Sequence, residues 1–154
     1  MVFYCDSDYS GDKDTRISVT GYIIFLMGAV VCYKSKAQRG VTLSSTEAEY
    51  YAISEVCKEI LYIKQLLEFL NKEVKTPIIV QVDNVGAIQL ANKSTGSQRT
   101  RHIDIRTHFV REYVEDGTVK IIFVRSKDNL ADGFTKKVSG EIFEQHTRKY
   151  MKKE

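Results

Sequence analysis

The spacing of apolar positions along this chain switches from short runs to a three-and-four repeat and back. Residues 2–6 form a short apolar run closed by an acid, which predicts a strand with Asp6 at its end. Asp6 and Asp8 stand two apart and share a face if that strand continues. A polar stretch with Gly11 and two further Asp, residues 10–15, predicts a loop. Residues 20–26 and 29–33 are rich in Ile, Val, Tyr and Phe and flank Met27 and Gly28, the mark of a hairpin with a short turn. Three antiparallel strands are therefore expected before any helix.

Residues 34–40 read as a basic connector carrying Lys34, Lys36 and Arg39 and ending in glycine. Ser44, Ser45 or Thr46 can cap the helix that follows, and Ser44 with Glu47 three residues later fits a capping box. From Ala48 the apolar positions recur as Ala52, Val56, Ile60, Ile63, Leu67 and Leu70, predicting a long amphipathic helix to about residue 71. Pro77 marks the start of a strand over 78–82, apolar nearly throughout, as in a central strand covered on both faces. Asp83 closes it, and Asn84 can cap a short helix over 85–91. After a polar loop, Thr100 opens a second amphipathic helix with the stripe Ile103, Val110, Tyr113 and Val114, ended by Asp116 and Gly117. Residues 119–124 predict a fifth strand. A short helical segment with Leu130, Ala131, Asp132 and Phe134 follows. The basic, weakly amphipathic tail is expected to be partly disordered. The order β-β-β-α-β-α-α-β-α predicts an α/β fold, a five-stranded mixed sheet flanked by helices. The domain is expected over 1–137, with 138–154 as a basic C-terminal tail.

At 154 residues, 43% hydrophobic and 28% charged, the chain has the size and balance of one globular domain. No apolar run reaches about 18 residues, so no membrane span is expected. The acids among the first ten residues argue against a signal peptide. Cys5, Cys32 and Cys57 have no metal-type spacing and read as reduced, buried thiols of an intracellular protein. The net charge of +3 is too small to imply a nucleic-acid partner. The distribution says more, because the basic residues crowd loops and the C-terminus while certain acids sit inside apolar segments.

Those acids carry the candidate chemistry. Glu47 and Glu49 open the long helix, where one acid is favourable to the helix dipole. Glu49 is flanked by Ala48, Tyr50, Tyr51 and Ala52, and a carboxylate held against a core requires a cation partner. Asp6 and Asp83 each close an apolar strand, and Asp132 is expected near the start of the last helix. Converging carboxylates without cations raise one another's pKa. Bound Mg²⁺ relieves that repulsion through hard oxygen ligands. Two such ions about 4 Å apart can drive an in-line phosphoryl displacement. Spacing alone leaves the alternative of solvated loop acids open.

The pieces YCDSDYSGD (4–12), TGYIIFL (20–26), SKAQ (35–38), LSSTEAEYYA (43–52), VDNVGAIQLA (82–91), RTRHIDIRTHFVRE (99–112) and NLADGFTK (129–136) add a resemblance. In content and order they resemble the ribonuclease H domain of the Pol polyprotein of copia-type LTR retrotransposons. The resemblance ends at Lys137. It implies the ribonuclease H fold and hydrolysis of the RNA strand of RNA–DNA hybrids with two Mg²⁺ ions, for which Mn²⁺ is a possible substitute. It also implies a reverse transcriptase domain of the same polyprotein as partner, and a cytoplasmic virus-like particle if the element is active. The implied catalytic and metal-binding acids are Asp6, Glu49, Asp83 and Asp132. Asp8 and Glu47 compete for the first two roles, and the family spacing of Glu to Ala52 favours Glu49. Lys34, Lys36, Arg39, Ser44, Ser45, Thr46 and Asn84 are the expected nucleic-acid contacts.

His102 and His108, six apart, do not share a helical face, and a structural hydrogen bond is the expected role of His102. Residues 125–129 lack the mobile His that many ribonucleases H carry before the last acid. Tyr9 and Lys137 also depart from the common Trp and Pro. Two other readings compete: a fragment or domesticated relic that only binds nucleic acid, and an integrase-like transposase, against which TEAEYYA and NLAD speak.

Overall fold

The computed structural model describes residues 1–9, 11, 16–92 and 101–151, with side chains of the last segment from residue 105 onward. Strand β1 (Val2–Asp8) pairs antiparallel with β2 (Val19–Leu26), which pairs antiparallel with β3 (Ala29–Ala37). On the other side of β1 lie β4 (Ile78–Val82) and β5 (Val119–Phe123), both parallel to their neighbours. The sheet order is β3-β2-β1-β4-β5. This is the five-stranded mixed sheet that the pattern of apolar runs predicts. Met27 (φ 52) and Gly28 (φ 86) make the hairpin turn, both with the positive φ that twisted two-residue turns need.

Helix α1 (Ser45–Phe69) packs on β1 and β2, α2 (Val85–Asn92) and α3 (Arg101–Glu115) continue the layer over β5, and α3 also packs on α1. The core between this layer and the sheet contains Phe3, Cys5, Ile24, Ile53, Val56, Ile60, Val80, Val82 and Val110, all fully buried. Each such aliphatic or aromatic side chain contributes about 1.5–3 kcal/mol relative to exposure. Cys5, Cys32 and Cys57 are unpaired thiols; Cys5 and Cys57 are buried as expected, but Cys32, on the edge strand β3, is only half-buried. No helix among the described residues is long and apolar enough to cross a membrane.

Several expectations are corrected. Strand β1 does not stop at Asp6, because β2 supplies partners as far as Asp8↔Val19. Lys34 and Lys36 lie on β3 rather than in a connector. β3 is an edge strand, where lysines are tolerated and discourage pairing with other chains. β4 is fully covered on one face only: Ile78, Val80 and Val82 are buried while Ile79 and Gln81 are half-buried. The short helical segment expected around Asp132 is the 3₁₀ turn Asp132–Phe134, which Asp132 opens, just after another such turn, Ser126–Asp128.

Residues 140–150, expected to be loosely ordered, form helix α4 (Gly140–Tyr150), capped by Ser139, whose Oγ accepts from the Ile142 N–H. Phe143, His146, Thr147 and Tyr150 line an apolar groove with Ile23, Val30 and Tyr33. Ile23 alternates with Tyr22, whose hydroxyl reaches Glu59 on α1. α4 therefore lies on the side of the sheet opposite α1, across this open groove.

Candidate active site

The parallel pairing of β1 and β4 covers only Val2↔Ile79, Phe3↔Val80 and Tyr4↔Gln81. Beyond Tyr4 the two strands separate, leaving the crevice at carboxyl strand ends where open α/β sheets bind ligands. Asp6 lies in β1 just past that point, and Asp83 directly follows β4. Asp132 enters from the 3₁₀ turn after β5. One carboxylate oxygen from each of Asp6, Asp83 and Asp132 lies within 4.8 Å of the other two.

Glu49, from the first turns of α1, reaches the same crevice. The Ser7 backbone N–H donates to its Oε1 at 3.1 Å, and its Oε2 is buried with no hydrogen-bond partner. Asp132 Oδ1 is likewise buried and unpartnered. Asp6, Glu49 and Asp132 are only 1%, 5% and 6% exposed. Buried orphan acceptors of this kind are costly and mark where a cation fits.

Electrostatics agree with the geometry. Burial, then repulsion from Asp6 and Asp83, pushes Glu49 up to about 9. Burial and the neighbouring Asp6 push Asp132 up to about 6. Asp6 is also raised, chiefly by burial, although the Thr135 hydroxyl and Lys136 pull the other way.

The two competing acids point elsewhere. Glu47 Oε2 accepts from the Leu43 N–H at 2.7 Å, while the Glu47 N–H donates to Ser44 Oγ at 3.1 Å. This is a capping box whose return bond lands one residue before the cap. Asp8 turns toward the following loop: a Cβ on Gly11 would fall 2.1 Å from Asp8 Oδ2.

A frame of buried polar residues holds the acids in place. Asn129, fully buried, donates from Nδ2 to the Cys5 carbonyl at 2.9 Å and accepts from the Ala131 N–H. It thereby ties the Asp132 segment to β1. Gln38 donates from Nε2 to Thr20 Oγ1 and to the Ala48 carbonyl, fixing α1 against the sheet beside Glu49. Gly21 faces Asp6 across the β1–β2 ladder. A Cβ there would lie 2.6 Å from Thr135 Cγ2 and 2.8 Å from Phe134 Cβ, so only glycine lets the 3₁₀ turn rest on β2. From α4, His146 Nε2 lies 3.2 Å from the Lys127 carbonyl, and the Tyr150 hydroxyl donates to the Leu130 carbonyl at 2.6 Å.

The sequence reading missed Thr135 and Lys136. Thr135 donates its hydroxyl to Asp6 Oδ2. Lys136 Nζ lies 3.6 Å from Asp6 Oδ2 and 3.2 Å from Asp132 Oδ2. The four-residue spacing from Asp132 to Lys136 was the available signal. His146 and Tyr150 lie in the stretch that the sequence pattern marks only as a basic tail.

The expected nucleic-acid contacts separate into two groups. Ser44 is the α1 N-cap, Ser45 and Thr46 begin the helix, and Asn84 caps α2 by accepting from the Ala87 N–H at 2.9 Å. A Cβ on Gly86 would meet Thr46 Oγ1 at 2.9 Å, so the starts of α1 and α2 adjoin beside the crevice. Lys34, Lys36 and Arg39 instead line a groove of about 400 Å³ with Tyr51, Lys58 and Arg106. There Lys34 Nζ lies 3.6 Å from Glu59, and Arg106 sits 4.1 Å from the centre of the Tyr51 ring. His108 is exposed on α3, and the His102 side chain lies outside the described residues.

The β3-β2-β1-β4-β5 sheet, with Asp6, Asp83 and Asp132 clustered at the carboxyl ends of β1 and β4 and Glu49 beside them, defines the ribonuclease H class of fold. The RNase H1 of the archaeon Halobacterium salinarum superposes with a TM-score of 0.63 at 14% identity, over 94% of this chain and 97% of that one. LC11-RNase H1, solved in complex with an RNA/DNA hybrid, gives 0.64 at 15% identity, over 87% and 92%. No family model matches the chain. In sequence it is 40% identical over 141 residues, 92% of its length, to the retrovirus-related Pol polyprotein from transposon TNT 1-94 of Nicotiana tabacum. It is 37% identical over 95% of its length to that of transposon RE2 of Arabidopsis thaliana. The chain belongs to the copia-type, retrovirus-related Pol polyproteins of transposons, as a segment with the ribonuclease H fold. It spans 10% of the length of each of these two relatives.

Proposed function

We propose that the chain is an RNA–DNA hybrid ribonuclease, with Asp6, Glu49, Asp83 and Asp132 as its catalytic, metal-binding acids. The observation that carries this is the mutual approach of Asp6, Asp83 and Asp132 oxygens to within 4.8 Å, beside the unpartnered Glu49 Oε2. An all-oxygen donor set with buried, unpaired acceptors fits Mg²⁺, with Mn²⁺ as a substitute. When bound, a pair of such ions supplies water activation and charge stabilisation for in-line phosphodiester hydrolysis.

The residues present do the rest. Burial of Asp6, Glu49 and Asp132 withholds water from their carboxylates, so a cation meets them poorly solvated and binds more strongly. Ser7 and Thr135 direct the carboxylates of Glu49 and Asp6, and Asn129 holds the segment that carries Asp132 against β1. The adjoining starts of α1 and α2 present Ser44, Ser45, Thr46 and the Nδ2 of Asn84 to backbone phosphates. The groove of Lys34, Lys36 and Arg39 supplies positive charge for the far side of the duplex. RNA is distinguished by its 2′-hydroxyls and minor-groove shape. A reverse transcriptase domain of the same polyprotein is the proposed partner, and the cytoplasmic particle of an active element the proposed location.

A second reading, a module that binds nucleic acid without cutting it, is favoured by the Lys34, Lys36, Arg39 and Arg106 groove, which needs no metal. The two are separated with a hybrid labelled on either strand and incubated with and without Mg²⁺. Shortening of the RNA strand alone, only with the metal, supports the nuclease. Binding with both strands intact supports the second reading.

A further inference from the structure

Lys136 is half-exposed, yet its ammonium reaches into the acid cluster, 3.2 Å from Asp132 Oδ2 and 3.6 Å from Asp6 Oδ2. Its position is built rather than incidental. Lys136 directly follows Thr135, which is bonded to Asp6. The Lys136 N–H donates to the Asp132 carbonyl at 3.1 Å, closing the turn under the side chain. Among the described residues, no other Lys or Arg forms an ion pair with any of the four acids. One cation therefore faces several carboxylates, and two buried oxygens in the crevice, Glu49 Oε2 and Asp132 Oδ1, still lack a partner.

We infer that Lys136 is a built-in counter-cation of the metal centre, holding the acids together without metal and opposing metal binding. This rests on the reading of the cluster as a divalent-cation site. Two like charges bound to the same carboxylates repel, and a carboxylate lone pair engaged by an ammonium is not free for a metal. Without metal, Lys136 offsets the repulsion among the acids. With metal, its contacts to Asp6 and Asp132 weaken or move to the exposed rim, where its flexible stem can carry the ammonium into water. Lys136 thereby ties two properties together: it raises the stability of the empty site and lowers affinity for the ion.

The test is a titration of Mg²⁺, and of Mn²⁺ in parallel, by calorimetry on the wild type, Lys136→Gln and Lys136→Arg, with melting temperatures in chelator and in saturating Mg²⁺. Lys136→Gln is expected to bind the ion about tenfold more tightly, the size of effect for loss of one partly screened charge at this distance. It is also expected to melt lower than the wild type in chelator and to gain more from Mg²⁺. Lys136→Arg, which keeps the charge, stays close to the wild type in both readouts. If Lys136→Gln folds only when Mg²⁺ is present, that also supports the inference. Unchanged or weaker binding in Lys136→Gln overturns it while leaving the metal site standing, as does a variant that Mg²⁺ cannot refold. Absence of binding in all three proteins overturns both the inference and the metal site.

Discussion

The Ser7 backbone N–H donates to Glu49 Oε1 at 3.1 Å, joining β1 to the start of α1 inside the crevice. The bond uses one oxygen and leaves the other free, so it directs the carboxylate without neutralising it. Glu49→Gln keeps an acceptor for Ser7 but cannot take up the charge that the carboxylate offers a bound cation. Hybrid cleavage is expected to fall by about 10²-fold or more, since changes even to outer partners of metal ligands cost 10–100-fold. Metal-free stability near neutral pH should hardly change, because Glu49 is raised to about 9 and is already protonated there. Parallel cleavage assays and urea unfolding check both statements.

The raised acids make the metal-free fold sensitive to alkali. Glu49 rises from 4.5 to about 9 and Asp132 from 3.8 to about 6. Both pKa values are higher in the folded state, so between the unfolded and folded values the native chain binds more protons than the unfolded chain. Stability from these groups is complete below the unfolded values and is lost as pH rises through about 6 for Asp132 and about 9 for Glu49. Urea unfolding in chelator should give a lower midpoint at about pH 9 than at about pH 5, and Glu49→Gln should flatten part of the slope. Stability that rises with pH over this range would contradict the assignment.

Gly21→Ala should disturb the site without touching an acid. The added methyl would lie 2.6 Å from Thr135 Cγ2 and 2.8 Å from Phe134 Cβ, forcing the Asp132–Phe134 turn away from β2. Overpacking of this kind costs about 1–3 kcal/mol. Weaker Mg²⁺ binding should accompany the lower melting temperature, because Asp132 and Thr135 move with the turn.

Much of this arrangement was legible in the sequence, for identifiable reasons. The hairpin shows because Met27 and Gly28 interrupt two runs of β-forming residues. Glu49 stands out from Glu47 because apolar neighbours surround it, and it is the one that turns inward. Asp83 shows because it closes an apolar run, whereas the place of that run beside β1 is set by the parallel β1–β4 pairing and not by the sequence pattern. Lys34 and Lys36 look like a connector in the sequence because an edge strand needs only one buried face. Helix α4 is hard to see in the sequence because the stripe that faces the groove, Phe143, His146, Thr147 and Tyr150, has helical spacing but includes two polar side chains. For Lys136 the sequence offers only the four-residue spacing from Asp132; its approach to Asp6, 130 positions earlier in the chain, is tertiary and leaves no local mark.

Helix α4 supports the loop that carries Asp132. Tyr150→Phe leaves the Leu130 carbonyl without the donor now at 2.6 Å. It should cost about 1–3 kcal/mol, the penalty for stranding a buried polar group. Truncation after Lys137 also removes His146 from the Lys127 carbonyl and exposes the apolar groove on the sheet. It should lower the melting temperature further and weaken Mg²⁺ binding. A truncated chain with unchanged stability and metal affinity would show that residues 138–154 are a dispensable tail.

Asp83 is the most direct test of the site, because Asp83→Asn removes one charge at the junction of β4 and α2 while nearly preserving shape. Cleavage of a labelled RNA–DNA hybrid in Mg²⁺ should be abolished, with hybrid binding retained and the wild type cutting only the RNA strand. Equal cleavage by Asp83→Asn and wild type, or no cleavage by the wild type while it binds both hybrid and metal, would contradict the assignment of these acids as the catalytic centre.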